Sequence, residues 1–182
     1  MNQLYLVGGG ARSGKSRKGE VLALQLGERP IYLASAQAYD QEIEVRIQQH
    51  RLDRGELFKT VEEPIHIMDA LAQVEADVIL WDCLTLWLSN MLLREVDPPT
   101  VERQLNRILD FFEDRFNHTI IVTNEVGLGV VPEHTLARTF RDLAGRCHQN
   151  IAQRAGHVYA MMMGLCLRLK PAPVAVVEKG VL

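Results

Sequence analysis

The segment Gly9–Ser16 has the residue types and spacing of a loop that binds phosphate groups. It fits the pattern G-x-x-x-x-G-K-[ST] and directly follows the apolar run Leu4–Val7. In such a loop the glycines let backbone N–H groups turn toward phosphate oxygens, Lys15 reaches the β and γ oxygens, and the Ser16 hydroxyl is placed to hold Mg²⁺. A plain glycine turn does not need Lys-Ser in this register. The segment therefore predicts a nucleoside triphosphate site, backed by the positive end of a helix over residues 16–26.

Asp82 follows the apolar run 78–81 and is the candidate acid of this site. Phosphate-loop proteins use an acid at the end of a neighbouring strand to arrange Mg²⁺. The alternative is that Asp82 is the N-cap of a helix that begins near Leu84. The two roles are compatible, and the residues alone leave both open.

His50 lies in a basic segment with Arg46, Arg51 and Arg54. A lone histidine in a basic helical pattern is most often a solvated surface residue. Beside a bound triphosphate, however, a neutral imidazole could attack the α-phosphorus and form a phosphoramidate. The arginines would then offset phosphate charge.

Two further polar clusters follow short apolar or mixed runs. Glu62 and Glu63 could accept hydrogen bonds from a ribose or a base, or form a solvated pair of charges. The segment 123–132 closes another predicted strand with polar residues, two glycines and a proline. Because ligands bind at the carboxyl edge of a parallel sheet, this segment is a candidate part of the site.

Arg138, Arg141, Asp142 and Arg146 follow at near-helical spacing. They could form a stripe that faces an anion or a salt-bridged face in solvent. The spacing favours the solvent face.

The elements that position these residues alternate between short apolar runs and helical patterns. Runs without polar alternation predict parallel strands that are buried on both faces; they cover residues 4–7, 30–34, 78–81, 119–123 and 158–162. Helical patterns cover residues 16–26, 40–54, 65–72, 84–93, 100–116 and 135–155. This order predicts an α/β fold of the P-loop NTPase (RecA-like) type, a doubly wound, mostly parallel sheet with helices on both faces.

Length and composition predict one nucleotide-binding α/β domain over residues 1–182. No linker or repeat divides the sequence, and the tail after Lys170 is either a final strand or a loose terminus. The net charge of −3 provides no basic field for nucleic acid. The most apolar stretch, 158–169, is too short to cross a bilayer, and no secretion signal is visible. Three widely spaced cysteines indicate reduced thiols, so we expect a cytoplasmic protein without membrane insertion.

Taken together, the motifs resemble the family of bifunctional adenosylcobinamide kinases/adenosylcobinamide-phosphate guanylyltransferases of cobalamin biosynthesis. The resemblance covers nearly the whole chain. It rests on residues 9–17, on Arg46-Ile47 with His50-Arg51, and above all on 123–127, continued by Val131-Pro132, Arg138 and Phe140–Arg146.

The resemblance implies two reactions in one nucleotide region. The aminopropanol hydroxyl of adenosylcobinamide is phosphorylated with ATP or GTP, and GMP then passes from GTP to the new phosphate, which gives adenosylcobinamide-GDP and pyrophosphate. In the family the guanylyl group passes through a histidine, and that histidine corresponds to His50. Lys15 is the other implied catalytic residue, Mg²⁺ is the implied cofactor, and a homotrimer is the implied assembly.

Ser16 and Asp82 are the candidate Mg²⁺ ligands, and the resemblance leaves either the metal or the guanosine as the partner of Asp82. Asp82 stands where relatives commonly have glutamate, and His148 stands where the family often has asparagine. The implied nucleotide contacts are Gly9, Gly10, Ala11, Arg12, Ser13, Gly14, Lys15, Ser16, Ala34, Ser35, Ala36, Arg51, Leu52, Asp53, Arg54, Glu62 and Asp82.

Two other classes of protein fit parts of the pattern. A plain small-molecule kinase would use the phosphate loop and leave His50 as a bystander. A nucleotide-switched binding module would resemble a small GTPase, but the sequence lacks the Asn-Lys-x-Asp motif that reads guanine in that class.

Overall fold

The computed structural model describes residues 3–37, 57–172 and 175–177, the last three as backbone only. The described strands are β1 (Gln3–Gly9), β2 (Pro30–Ala34), β3 (Lys59–Glu62), β4 (Val78–Asp82), β5 (His118–Asn124), β6 (His157–Met162), β7 (Leu165–Lys170) and β8 (Ala175–Val177). The described helices are α1 (Lys15–Leu26), α2 (Ile67–Leu71), α3 (Leu84–Leu93), α4 (Pro98–Arg115) and α5 (Thr135–Arg154). The helix predicted over residues 40–54 lies outside the described residues.

The eight strands form one sheet in the order β3-β2-β4-β5-β1-β6-β7-β8. Neighbours from β3 to β6 are parallel, whereas β7 and β8 are antiparallel additions at one edge. Helices cover both faces of this sheet, as predicted. The predicted strands therefore all form, and the mostly parallel α/β fold is confirmed.

Two apolar clusters, one on each face, hold the sheet between the helices. Alternate residues of one strand belong to different clusters: Leu80 packs with Leu22 of α1, and Trp81 packs with Trp87 of α3. The Trp81 and Trp87 rings meet edge to face, with centroids 5.7 Å apart. A strand that is buried on both faces needs a continuous apolar run, which is why these strands lack polar alternation.

The ends of two helices show how the sequence sets their boundaries. The Asp97 side chain accepts a hydrogen bond from the Thr100 amide at 3.0 Å, and Pro98 takes the first helical position of α4. The helix predicted over 65–72 is shorter, Ile67–Leu71, because the Glu63 carboxylate accepts bonds from the backbone amides just before it.

The apolar stretch 158–169 is a β-hairpin, because its two halves pair as β6 and β7. Met163 and Gly164 connect the strands, and both have positive φ (53° and 79°), as a two-residue hairpin turn requires. β7 and the short edge strand β3 were not predicted. β8 corresponds to the final-strand alternative for the tail.

Two expectations from composition can be compared with the described residues. Cys83, Cys147 and Cys166 are buried and unbridged. In the part of the chain that the structure describes, no helix has the length and hydropathy of a transmembrane segment.

Candidate nucleotide site

The phosphate loop connects β1 to α1 and is shaped by two glycines. Gly14, the N-cap residue of α1, has a φ of +91°, which favours glycine. At Gly9, an added Cβ would lie 2.6 Å from both the Met161 carbonyl oxygen and Ser13 Oγ. The loop therefore depends on glycine at the end of β1, where it closes against β6.

The start of α1 is arranged to receive an anion. No side chain caps the helix, and its first turn contains no acidic residue. The first backbone amides of a helix lack intrahelical partners, and the helix dipole favours negative charge there. Ser13 Oγ is buried in the same loop and makes no hydrogen bond within the described chain. The loop thus holds polar groups that a phosphate would satisfy.

Lys15 lies across the loop. Its side chain is buried, and Nζ donates a hydrogen bond to the Gly10 carbonyl oxygen at 3.0 Å. A phosphate in the loop would compete for this ammonium group, because a charge-assisted bond is stronger than one to a neutral carbonyl. The lysine is therefore already directed into the loop.

Asp82 lies at the carboxyl end of β4, and Tyr32 of the neighbouring strand β2 fixes its orientation. The Tyr32 hydroxyl donates to Asp82 Oδ2 at 2.7 Å. The N-cap residue of α3 is Cys83, and no side chain caps that helix. The alternative interpretation of Asp82 as an N-cap is therefore wrong.

Cys83 lies next to Asp82, and its thiol is held in the neutral form. Burial and, to a lesser extent, the Asp82 charge together raise the pKa of Cys83 to about 11, although Lys15 acts in the opposite direction. A thiol with this pKa is protonated at neutral pH and is not a nucleophile.

The segment 34–36 lies at the carboxyl end of β2, next to Asp82. The fully buried Ser35 accepts a hydrogen bond from Trp81 Nε1 at 2.6 Å through its hydroxyl, and its carbonyl accepts one from Asn90 Nδ2 at 2.9 Å. The Ser35 amide in turn donates to the Asp82 carbonyl oxygen at 3.3 Å. The Ser35 side chain thus joins the ends of β2 and β4.

The end of β5 connects the two halves of the site. The Glu125 amide donates to the Gly9 carbonyl oxygen at 3.0 Å, which ties β5 to the start of the phosphate loop. Asn124 Nδ2 donates to Thr85 Oγ1 at 2.9 Å, which ties β5 to the first turn of α3. Sequence reasoning missed Thr85 and Tyr32, because both fit the pattern of their own helix or strand and no local motif marks them.

His148 of α5 packs beneath the end of β5. Its Nε2 lies 2.7 Å from Thr123 Oγ1. Burial lowers the pKa of His148, although the Glu125 charge acts to raise it. An asparagine could make a similar hydrogen bond, which explains how either residue type suits this position.

The two glutamates after β3 have different surroundings. The Glu63 carboxylate accepts hydrogen bonds from the Ile65 and His66 amides, both at 2.8 Å, and so is engaged in starting α2. Glu62 is exposed at the carboxyl end of β3, opposite Ala34 of β2. Of the pair, Glu62 is the one that stands at the ligand-binding edge of the sheet.

The arginines of α5 have partners within the fold. Arg141 pairs with Asp142 at 2.9 Å, and Arg146 pairs with Glu102 of α4 at 2.6 Å. Arg138 donates to the carbonyl oxygens of Pro132 and Glu133. These contacts support the interpretation as a salt-bridged face, with Arg138 anchoring the preceding loop.

The remaining predicted residues cannot be placed. Arg46, His50, Arg51, Leu52, Asp53 and Arg54 lie outside the described residues. Within the described chain the structure thus brings together the phosphate loop, Asp82, the 34–36 segment and the end of β5 along one edge of the sheet.

Residues 5–169 match the sequence model of the family described as cobinamide kinase / cobinamide phosphate guanyltransferase. The chain is 43% identical to the "Bifunctional adenosylcobalamin biosynthesis protein CobP" of Pseudomonas aeruginosa, over 92% of this chain and 98% of that protein. It is 36% identical to the "Bifunctional adenosylcobalamin biosynthesis protein CobU" of Escherichia coli, over 92% of this chain and 99% of that protein.

Among solved structures, the RadB recombinase has a similar fold, with a TM-score of 0.55 and 15% identity over 96% of this chain and 86% of that one. This likeness concerns the fold alone. The family match includes both the phosphate loop and the 123–146 block. The chain therefore belongs to the cobinamide kinase / cobinamide phosphate guanyltransferase family.

Proposed function

We propose that the chain carries out both reactions of its family at one phosphate loop: phosphorylation of adenosylcobinamide with ATP or GTP, and transfer of GMP from GTP to the product through His50. The observation that carries the proposal is the geometry of the phosphate loop. Lys15 is directed into the loop, no side chain caps the start of α1, and the buried Ser13 hydroxyl has no hydrogen-bond partner in the described chain. A bound phosphate would satisfy all three groups. The family description, cobinamide kinase / cobinamide phosphate guanyltransferase, supports a cobinamide as the acceptor.

In the kinase reaction the acceptor hydroxyl attacks the γ-phosphorus in line. A bond forms from the hydroxyl oxygen to phosphorus, the hydroxyl proton is released to water, the bond to the β-phosphate oxygen breaks, and a nucleoside diphosphate leaves. Catalysis of this kind depends on positioning and on stabilising charge on the transferred group. Lys15 supplies the stabilising positive charge when its Nζ leaves the Gly10 carbonyl oxygen and binds phosphate oxygens.

Ser16 and Asp82 suit a magnesium ion, because a hydroxyl and a carboxylate provide the oxygen ligands that Mg²⁺ prefers, with phosphate and water completing the set. The bond from Tyr32 orients the Asp82 carboxylate for this role. When bound, the ion would neutralise charge on the triphosphate. Among the described residues no cluster of three or more His, Cys, Asp or Glu side chains offers a metal site without the nucleotide.

In the transferase reaction the His50 imidazole attacks the α-phosphorus of GTP. A phosphorus–nitrogen bond forms and pyrophosphate leaves; an oxygen of the cobinamide phosphate then attacks the same phosphorus and the phosphorus–nitrogen bond breaks. Two displacements retain configuration at phosphorus and give ping-pong kinetics. We expect the nucleotide to bind differently in the two reactions, because α and γ phosphorus must meet different groups.

The proposed enzyme acts as a homotrimer in the cytoplasm. The buried, unbridged cysteines suit a reducing compartment. Sedimentation velocity tests the assembly, and a monomer at micromolar concentration would contradict it.

The deciding measurement is the intact mass of the protein after incubation with GTP and Mg²⁺, beside the His50→Ala variant. We expect a gain of one GMP unit that is labile to acid, stable to alkali and absent from the variant. If GTP binds but no adduct forms, while adenosylcobinamide is still phosphorylated, the protein is the plain kinase with His50 as a bystander.

A further inference from the structure

A cavity of about 810 Å³ lies beside the phosphate loop. Its lining includes Leu6 of β1, Val158 of β6, Ala152 of α5 and Leu169 of β7. Helix α5 packs against β1, and β6 and β7 continue the same sheet beyond β1. The β6–β7 hairpin therefore contributes much of the lining, from Val158 to Gly164.

The cavity is lined mainly by apolar groups. Its polar lining includes the Thr123–His148 pair and Glu125, which lie next to the phosphate loop because the Glu125 amide bonds to the Gly9 carbonyl oxygen. The imidazole is partly buried against Thr123 and burial lowers its pKa, so that pair contributes uncharged hydrogen-bonding groups. A ligand for this space needs a broad apolar body with a few polar atoms at the end near the loop.

The rim extends the apolar surface into solvent. Met163 at the hairpin tip is 92% exposed, and Leu128 in the loop after β5 is 83% exposed. Both residues line the cavity. Large apolar side chains exposed together around a cavity mark a binding surface, and methionine adapts to irregular ligands.

The cavity and the phosphate loop share a wall. Residues 9–13 line the cavity, whereas Lys15, Ser16 and Asp82 do not. The cavity thus shares Gly9–Ser13 with the candidate nucleotide site but does not include Lys15, Ser16 or Asp82, so a ligand inside it would touch one side of the loop. That is the placement which an acceptor needs if its hydroxyl is to meet the nucleotide.

We propose that this cavity binds the corrinoid body of the acceptor, with the aminopropanol arm directed over Gly10–Ser13 toward the bound nucleotide. A corrin macrocycle has broad apolar faces and amide groups at its edge, which match the apolar walls and the polar end. The macrocycle exceeds the cavity, and the exposed Leu128 and Met163 provide apolar surface for the remainder. The inference rests on the proposed function and deepens it by assigning the acceptor subsite.

The test compares two leucines of β7. Leu169 lines the cavity and is 47% exposed, whereas Leu165 of the same strand is 46% exposed and does not line it. Adenosylcobinamide binding is measured by equilibrium dialysis, and GTP binding by titration calorimetry. We expect Leu169→Glu to weaken adenosylcobinamide binding at least tenfold, Leu165→Glu to change it less than twofold, and GTP affinity to stay within twofold in both variants.

A second pair of variants keeps the test decisive if the Leu169→Glu variant does not fold. Gln149 and Gln153 are both exposed on α5, and only Gln149 lines the cavity. Gln149→Trp should fill the space and weaken adenosylcobinamide binding, while Gln153→Trp should not.

Four results overturn the assignment. The first is unchanged adenosylcobinamide affinity in both cavity variants. The second is a selective loss of GTP affinity, which would place the nucleoside in the cavity. The third is an altered sedimentation coefficient with intact adenosylcobinamide binding, which would make this face a contact between copies of the chain. If the wild-type protein binds GTP but not adenosylcobinamide, the proposed function fails together with the subsite.

Discussion

The Tyr32 hydroxyl donates a hydrogen bond to the Asp82 carboxylate across 2.7 Å, from one parallel strand to the next. We predict that Tyr32→Phe loses this bond but keeps the ring, which packs edge to face on Phe58. The free energy of unfolding should fall by about 1 kcal/mol, and the Mg²⁺ concentration for half-maximal kinase activity should rise several-fold. An unchanged Mg²⁺ dependence would show that Asp82 needs no orientation by Tyr32 for its proposed role.

Adjacent glycines of the phosphate loop provide a matched pair of alanine variants. Gly9→Ala would place a methyl group 2.6 Å from a backbone oxygen of β6, whereas the same methyl group at Gly10 meets nothing within 4 Å. Because the backbone of β6 cannot give way cheaply, the loop must shift. We expect Gly9→Ala to weaken GTP binding at least tenfold and Gly10→Ala to change it less than threefold. Equal losses in titration calorimetry would contradict the close approach.

Lys15 and His50 should separate the two reactions. Lys15→Ala removes the charge that binds the triphosphate, so both phosphorylation and GMP transfer should fall. His50→Ala should lose GMP transfer by several orders of magnitude and keep most of the phosphorylation, since a nucleophile contributes several kcal/mol and tenfold in rate is about 1.4 kcal/mol. Product analysis by chromatography distinguishes the two products. Parallel loss of both activities in the His50 variant would disprove the division of roles.

The partly buried His148 should make the free energy of unfolding depend on pH. Its folded pKa is lowered mainly by burial, so the unfolded chain binds the proton more readily. Stability is therefore unaffected at pH 8 and is lost as the pH falls through about 6.5, the unfolded pKa, toward the lower folded pKa. Urea unfolding at several pH values should show a shallower loss for His148→Asn, which keeps a hydrogen-bonding group for Thr123.

His157 provides the comparison for that experiment. Burial and Arg168 lower its pKa as well, so it contributes to the same slope. The His148→Asn variant should remove only part of the dependence on pH. An unaltered slope in this variant would assign the whole effect to other groups.

The sequence was sufficient to predict the parallel strands and the phosphate loop, because both depend on local patterns. A strand such as β4 must be apolar at every position to be buried on both faces, and Gly14 must allow a positive φ. β3 escaped prediction because an edge strand of four residues, none of them fully buried, has little apolar signal. β7 escaped because its apolar residues continue those of β6, and the turn at Met163-Gly164 carries only one glycine.

Sequence patterns could not predict the contacts between residues at the carboxyl edge of the sheet. Tyr32 lies 50 residues before Asp82, and Thr85 lies 39 residues before Asn124, so no spacing rule connects them. Glu63 shows a different kind of error. It was considered as a ligand of the nucleotide, but its carboxylate accepts hydrogen bonds from two backbone amides of its own loop. His50 and its neighbours stay a prediction.

The three buried cysteines can also report on local opening of the folded chain. Cys83 and Cys147 combine burial with pKa values of about 11 and about 12, so the native protein should resist thiol reagents on two grounds, access and protonation. Each thiol then reacts only when its surroundings open, and the rate of modification measures how often that happens. Cys83 lies next to Asp82 and Thr85, so its labelling rate would measure local opening at the candidate nucleotide site. That rate should fall when GTP is bound.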